Sequence, residues 1–125
     1  MPAARGAIAI VEDDSGLRDA LTRMLKTAGF EARGFCSGEA LLEDAPESVE
    51  CLVADIHLPG VSGLELQRRL IAEGHARPVV FITAHDTPAA RREAEALHAV
   101  AFLTKPFEGR LLLGAVQRAI TPKPN

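Results

Sequence analysis

Tryptophan and tyrosine are absent from this chain, and phenylalanine occurs only five times. Nucleic-acid recognition draws on clustered Lys and Arg interleaved with aromatic rings. Here 14 basic residues face 17 acidic ones, for a formal net charge of −3, so no direct nucleic-acid partner is expected within this segment. Cysteine is also scarce. Cys36 and Cys51 stand 15 positions apart, form no CxxC pair and have no His at metal-ligand spacing. That excludes a disulfide framework and the common zinc patterns. Both read as small, partly buried hydrophobes in a reducing compartment. No apolar run reaches the roughly 18 residues of a membrane span. The start, Met1 to Arg5, lacks the long apolar segment of a signal peptide. A cytoplasmic protein with no membrane partner is therefore expected. Neither a GxGxxG fingerprint nor a GKS or GKT run occurs, which removes the usual nucleotide-binding readings.

What is present is ordinary globular material, 47% hydrophobic and 25% charged over 125 residues. That length suits one domain with a core large enough to need no staples. Residues 1–120 read as that domain. Thr121 to Asn125 reads as a tail or truncated linker, because its prolines bar helix continuation.

Short apolar runs alternate with amphipathic stretches. The runs are Ala7 to Val11, a weaker Glu31 to Phe35, Cys51 to Ala54, Val79 to Ile82 and Val100 to Leu103. Three are continuous, as expected of strands buried on both faces of a parallel sheet. Between them, Leu17, Leu21, Met24, Leu25 and Ala28 recur at helical spacing, with Gly29 at the stop. Ser37 opens a short second helix that Pro46 is expected to end. Ser62 and Glu65 have the spacing of a capping box ahead of Leu66 and Leu70. Thr87 and Pro88 read as N-cap and first-turn proline, and Leu111, Leu112, Ala115, Val116 and Ala119 give the last helix its apolar face. The pattern is strand–helix five times over: an α/β, doubly wound domain with a parallel sheet and right-handed crossovers.

In such sheets the site lies beyond the carboxyl ends of the strands, so the residues after the apolar runs should be chemically unusual. They are. Glu12, Asp13 and Asp14 follow the first run, Asp55 the third, Thr83 the fourth, and Thr104 to Phe107, including Lys105, the fifth. Converging carboxylates repel unless a cation lies between them, and their oxygens suit a hard divalent ion such as Mg²⁺. An Asp beside that ion can act as nucleophile toward phosphorus. Lys105 then supplies a point charge, and Thr83 a hydrogen bond, to the phosphoryl oxygens. Asp14, one place past the acidic pair, reads as the cap of the first helix.

Four blocks carry a family resemblance: Val11 to Asp14; Asp55 with Leu58, Pro59 and Gly63; Ile82 to Ala84; and Phe102 to Phe107. With 28 residues from Asp55 to Thr83 and 22 from Thr83 to Lys105, the set resembles the signature of response-regulator receiver domains, from Ile8 to about Ile120. The resemblance implies a flavodoxin-like fold with five parallel strands in the order 2-1-3-4-5. It implies Asp55 as phosphoacceptor and Mg²⁺ or Mn²⁺ as cofactor. Asp13 and Asp55 would be metal ligands, with Glu12 acting through water and His57 through its backbone carbonyl. Thr83 and Lys105 would grip the phosphoryl group, the Lys105–Pro106 bond would be cis, and Phe102 would turn inward with Thr83 as the switch aromatic.

His57 and His85 sit two places after Asp55 and Thr83. The resemblance makes them candidates for setting how long the acyl phosphate lasts, since imidazoles that titrate near pH ~6.5 can orient or block attacking water. The implied partners are a sensor histidine kinase, and a second copy or an output domain on the surface of the fourth helix, fifth strand and fifth helix. Control of transcription is the implied output, and the chain would promote only its own phosphorylation and dephosphorylation. The sequence departs from the family at His98, where a glycine commonly precedes the last strand; His is among the few residues that tolerate a left-handed backbone. Two other readings remain open, a small aspartate-nucleophile phosphatase and a phosphorylation-independent interaction module. The first would need a DxD pair after the first strand, and the second does not require the full set Asp13, Asp55, Thr83 and Lys105.

Overall fold

A computed structural model describes residues 7–44 and 48–120. Five strands, β1 (Ala7–Val11), β2 (Glu31–Phe35), β3 (Val49–Asp55), β4 (Val79–Thr83) and β5 (Ala99–Thr104), form a parallel sheet in the order β2-β1-β3-β4-β5. The helices are α1 (Ser15–Thr27), α2 (Gly38–Glu43), α3 (Gly63–Ala72), α4 (Pro88–Ala96) and α5 (Gly109–Ile120). This is the flavodoxin-like arrangement expected.

The continuous apolar runs have a direct cause. Along β1, Ile8 and Ile10 face one cluster and Ala9 and Val11 the other, all but fully buried. The first cluster takes in Leu21, Leu25, Leu112 and Val116 from α1 and α5; the second takes in Leu41, Leu66, Leu70 and Ala94 from α2, α3 and α4. Each fully buried aliphatic side chain stabilises the fold by about 1.5–3 kcal/mol relative to exposure. β5 lies at the sheet edge, and all its residues before Thr104 are only half-buried.

Helix ends follow local chemistry. Asp14 accepts from the Gly16 and Leu17 amides at 3.0 and 3.5 Å. Ser37 and Thr87 accept from Ala40 and Ala90, each at 3.1 Å. α1 stops at Gly29, with φ +100°, while Gly29 N donates to Lys26 O and Phe30 N to Leu25 O. That pair of bonds satisfies the last carbonyls of the helix. His98 takes the left-handed φ of 67° that its position before β5 suggests.

Two expectations need correction. Ser62 accepts from Glu65 N at 3.1 Å, but the Glu65 carboxylate turns outward to Arg69 and Arg68 and leaves the capping box half-made. Cys36 is exposed and Cys51 wholly buried, where both were read as partly buried; burial pushes the Cys51 thiol up to about 12 and keeps it protonated. The last residue of α2 is Glu43; Pro46, expected to end that helix, and Thr121 to Asn125 lie outside the described residues. Among the described residues no helix is long and apolar enough to cross a membrane.

Gly63 shows how closely α3 approaches the sheet. A Cβ there would lie 3.0 Å from the Asp55 carbonyl carbon, closer still to its oxygen, and 3.2 Å from Ile56 Cα. These are backbone atoms and cannot swing away. Gly63→Ala is expected to lower stability by about 2 kcal/mol, measured by urea denaturation; an unchanged midpoint would show that the contact relaxes freely.

Candidate functional site

The rim of the sheet is built by hydrogen bonds that run past the apolar pairs. Asp55 pairs with Ile82 and Thr83 with Thr104. Beyond them Ile56 N donates to Ile82 O at 2.9 Å, Lys105 N to Thr83 O at 2.8 Å, and Glu12 N to Phe35 O at 3.1 Å. Asp55 and Thr83 are therefore the last residues of their strands, whereas the apolar runs placed them just after. The ladder continues one residue past the hydrophobic pattern because backbone pairing is indifferent to side-chain polarity.

Three carboxylates meet at this rim. Glu12, Asp13 and Asp55 each offer an oxygen, all within 4.8 Å of one another. Glu12 and Asp55 are buried, at 1% and 4% exposure, and Asp13 is open to solvent. Lys105 lies among them: its Nζ donates to Asp55 Oδ2 at 2.6 Å and to Glu12 Oε1 at 2.7 Å. The His57 amide donates to Asp55 Oδ1 at 2.9 Å, so each Asp55 oxygen has a donor. The Lys105–Pro106 peptide is cis.

Burial raises the Glu12 carboxyl above its ordinary pKa. The Lys105 bond and the Asp14 amide pull it down, and the charge on Asp55 pushes it up again. Burial also works against the Lys105 charge, but its hydrogen bonds to Asp55 and Glu12 outweigh that cost and raise its pKa. The Lys105 contribution to stability is thus fully present at neutral pH and lost only above the ordinary lysine range. The ionised Glu12 is a cost that grows as pH rises above the ordinary glutamate range.

Thr83 is wholly buried, and its hydroxyl is engaged locally. It accepts from His85 N at 3.0 Å and donates to His85 O at 3.2 Å. His57 and His85 are both exposed, with ring centroids 5.5 Å apart and edge-on at 77°. Phe102 is half-buried on β5, packed against the α3–α4 side of the core.

Two contacts escaped the sequence reading. Lys105 bonds Glu12 directly, which no local pattern announces because 93 residues separate them. Arg18 of α1 donates to the Glu12 carbonyl at 2.8 Å and steadies the acidic loop. Its stem lies against Gly34 of β2, where a Cβ would come within 2.9 Å of Arg18 Cγ. An apparently idle glycine on an exposed strand was the only signal.

The oxygen donors fit a hard divalent cation. Carboxylates outnumber the one ammonium, two of them are buried, and no soft ligand intrudes. Asp13, being exposed, is open to an ion from solvent.

A family profile described as the response regulator receiver domain matches residues 8–117. The chain is 37% identical over 117 residues to the transcriptional regulatory protein FixJ of Bradyrhizobium diazoefficiens, covering 93% of this chain and 57% of that protein. It is 37% identical over 119 residues to the response regulator protein TmoT of Ectopseudomonas mendocina, covering 94% and 54% respectively. It thus spans little more than half the length of these relatives. Among solved structures, the response regulator StyR superposes with a TM-score of 0.85 at 40% identity, covering 94% of this chain and 60% of that one. A crystal structure of FixJ-N superposes with a TM-score of 0.82 at 36% identity, covering 95% and 94%.

Removing the shared ammonium should expose the repulsion it relieves. Lys105→Met, in chelator at pH ~7, is expected to lose about 2 kcal/mol, roughly 5–10 °C in melting temperature. Most of that should return on adding Mg²⁺, and acidification should return part of it, because burial holds the Glu12 carboxyl above its ordinary pKa. Loss that neither addition restores would mean that Lys105 acts through packing alone.

Proposed function

The chain belongs to the response regulator receiver domain family, and on that premise we propose that Asp55 is its phosphoacceptor. The donor is a sensor histidine kinase or a small phosphodonor, and the transfer requires Mg²⁺ or Mn²⁺. The observation that carries this reading is the Lys105 ammonium 2.6 Å from a buried Asp55 carboxylate, beside two further carboxylates.

An Asp55 oxygen attacks phosphorus. The bond from phosphorus to the donor's leaving atom breaks, and its electron pair departs with that atom, so Asp55 ends as an acyl phosphate. Asp13 and Asp55 would hold the divalent ion directly, Glu12 through water and His57 through its backbone carbonyl; when bound, the ion neutralises charge on the phosphoryl oxygens. Lys105 is already in place as a point charge beside the nucleophile, and its bond to Glu12 keeps it aimed. The His57 amide fixes the rotation of the carboxylate. Thr83 reaches the phosphoryl group only by giving up the bond it donates to His85 O.

That exchange links phosphate to Phe102 and to the surface of α4, β5 and α5. The half-buried β5 edge and Leu111, 49% exposed, support docking of a second copy or an output domain there. Transcription is the output, as the FixJ relative's printed name suggests. The receiver spans at least residues 8–117, the stretch that the family profile matches. The protein works in the cytoplasm, binds no nucleic acid through this segment, and promotes only its own phosphorylation and dephosphorylation. His57 and His85, paired over the site, set the lifetime of the acyl phosphate by orienting or obstructing water.

Intact mass after acetyl phosphate with Mg²⁺ should rise by one phosphoryl group, and Asp55→Asn should abolish the gain. Modification that survives in Asp55→Asn, or repeated turnover of an added phosphate ester, would refute this assignment. For the histidines, replacing both with Ala should change the rate of phosphate loss by about threefold or more. An unchanged rate would end their role.

A further inference from the structure

The loop joining β4 to α4 carries a cluster that the chemistry above does not use. Asp86, three residues after Thr83, accepts two bonds from Arg91 of α4: Nε to Oδ1 at 2.8 Å and Nη2 to Oδ2 at 2.7 Å. The Thr104 hydroxyl, at the end of β5, donates to the same Oδ2 at 3.3 Å. The Arg91 guanidinium carbon lies 4.7 Å from the centre of the Phe102 ring. One arginine thus grips the loop that follows Thr83 and covers the aromatic ring on β5.

We propose that Asp86 and Arg91 are positioning residues, a latch that holds Thr83 and Phe102 in the arrangement of the unphosphorylated chain. The inference rests on Asp55 as phosphoacceptor. Period-two alternation puts Thr83 on the same sheet face as Phe81, and Thr104 on the same face as Phe102, the face that α4 covers. The Thr83 hydroxyl can donate to a phosphoryl oxygen only if it releases His85 O. That shift pulls on residues 84–86, and Asp86 is anchored both to α4 and to β5. An inward turn of Phe102 slides its ring from beneath the same guanidinium. Both movements therefore strain one pair.

The strength of the pair suits a switch. Its side chains are 49% exposed at Arg91 and 33% at Asp86, so solvent weakens the charge attraction. The two-pronged geometry and the stacked ring add to it. The hydrogen bonds from Arg91 hold the Asp86 carboxyl below its ordinary pKa, so it is ionised at neutral pH. The bond to Asp86 holds the Arg91 guanidinium above its ordinary pKa, and the charge on Glu95, one turn along α4, adds to that. A bias of this modest size leaves the active arrangement as a minor population that phosphorylation can raise.

The test compares wild type, Asp86→Ala, Arg91→Ala and the double variant, each checked for folding by thermal melt. One readout is the beryllofluoride concentration that half-saturates the chain in Mg²⁺. The other is the His85 amide resonance without ligand, which a merely structural role would not move toward the bound position. Each single variant should lower half-saturation by about two- to fivefold, with the His85 amide shifted toward its beryllofluoride-bound position. The double variant should fall short of the product of the two singles, because the pair they share is lost only once. Unchanged or weaker binding by folded variants, or effects that multiply in the double variant, would overturn the latch. A wild-type chain that fails to bind beryllofluoride would overturn the phosphoacceptor reading and the latch with it; wild-type binding with unaltered variants overturns the latch alone.

Discussion

A lysine ammonium shared between two buried carboxylates is the constraint on which this molecule turns. Glu12 and Asp55 come from strands that are sheet neighbours, and their charges would drive the rim apart if nothing lay between them. Lys105 arrives from the far edge of the sheet and bonds both. Its position requires that β5 end where it does, in register with β4, because the Lys105 amide is itself held by Thr83 O. The charge balance and the sheet register are therefore one requirement seen twice. Asp13, the third carboxylate of the cluster, faces solvent.

Stiffness is distributed unevenly around that point. β1 and β3 are packed on both faces, and their ends cannot shift without disturbing a close-packed interior. The stretch from Ala84 to Thr87 is exposed, and β5 is half-covered. On the function proposed above, the carboxylates would stay put while the Thr83 hydroxyl changes partner, the division of labour of a switch. The pairing of Asp86 with Arg91 sits on the movable side of this division. Family membership and the matching folds of StyR and FixJ-N agree with that design.

Two backbone details show how narrowly local geometry is set. Gly63 lets α3 begin against the carbonyl of Asp55, so the helix braces the strand that carries this buried carboxylate. His98 occupies a left-handed turn before β5, a conformation that costs most residues energy and His less. Beside it Gln67, wholly buried, ties the Leu97 and Arg77 carbonyls to α3 through its amide nitrogen. The entrance to β5 is thus held from below, and its exit by the charge cluster above.

Much of this was legible in the residues alone. Continuous apolar runs fixed the inner strands because a two-sided strand has no polar face to show. Asp14, Ser37 and Thr87 announced their helices because capping needs only neighbours in sequence. The acidic, hydroxyl and basic residues at the strand ends marked the rim, since a site in such a sheet lies beyond the carboxyl ends of its strands. What the sequence could not state were partnerships between distant elements: Lys105 with Glu12, Arg18 with the Glu12 carbonyl, Arg91 over Phe102. Hydrophobic period and capping are local, and so the chain alone determined which elements form and which groups reach the rim. Which charge neutralises which depends on register and approach between elements, and only the folded structure decided that.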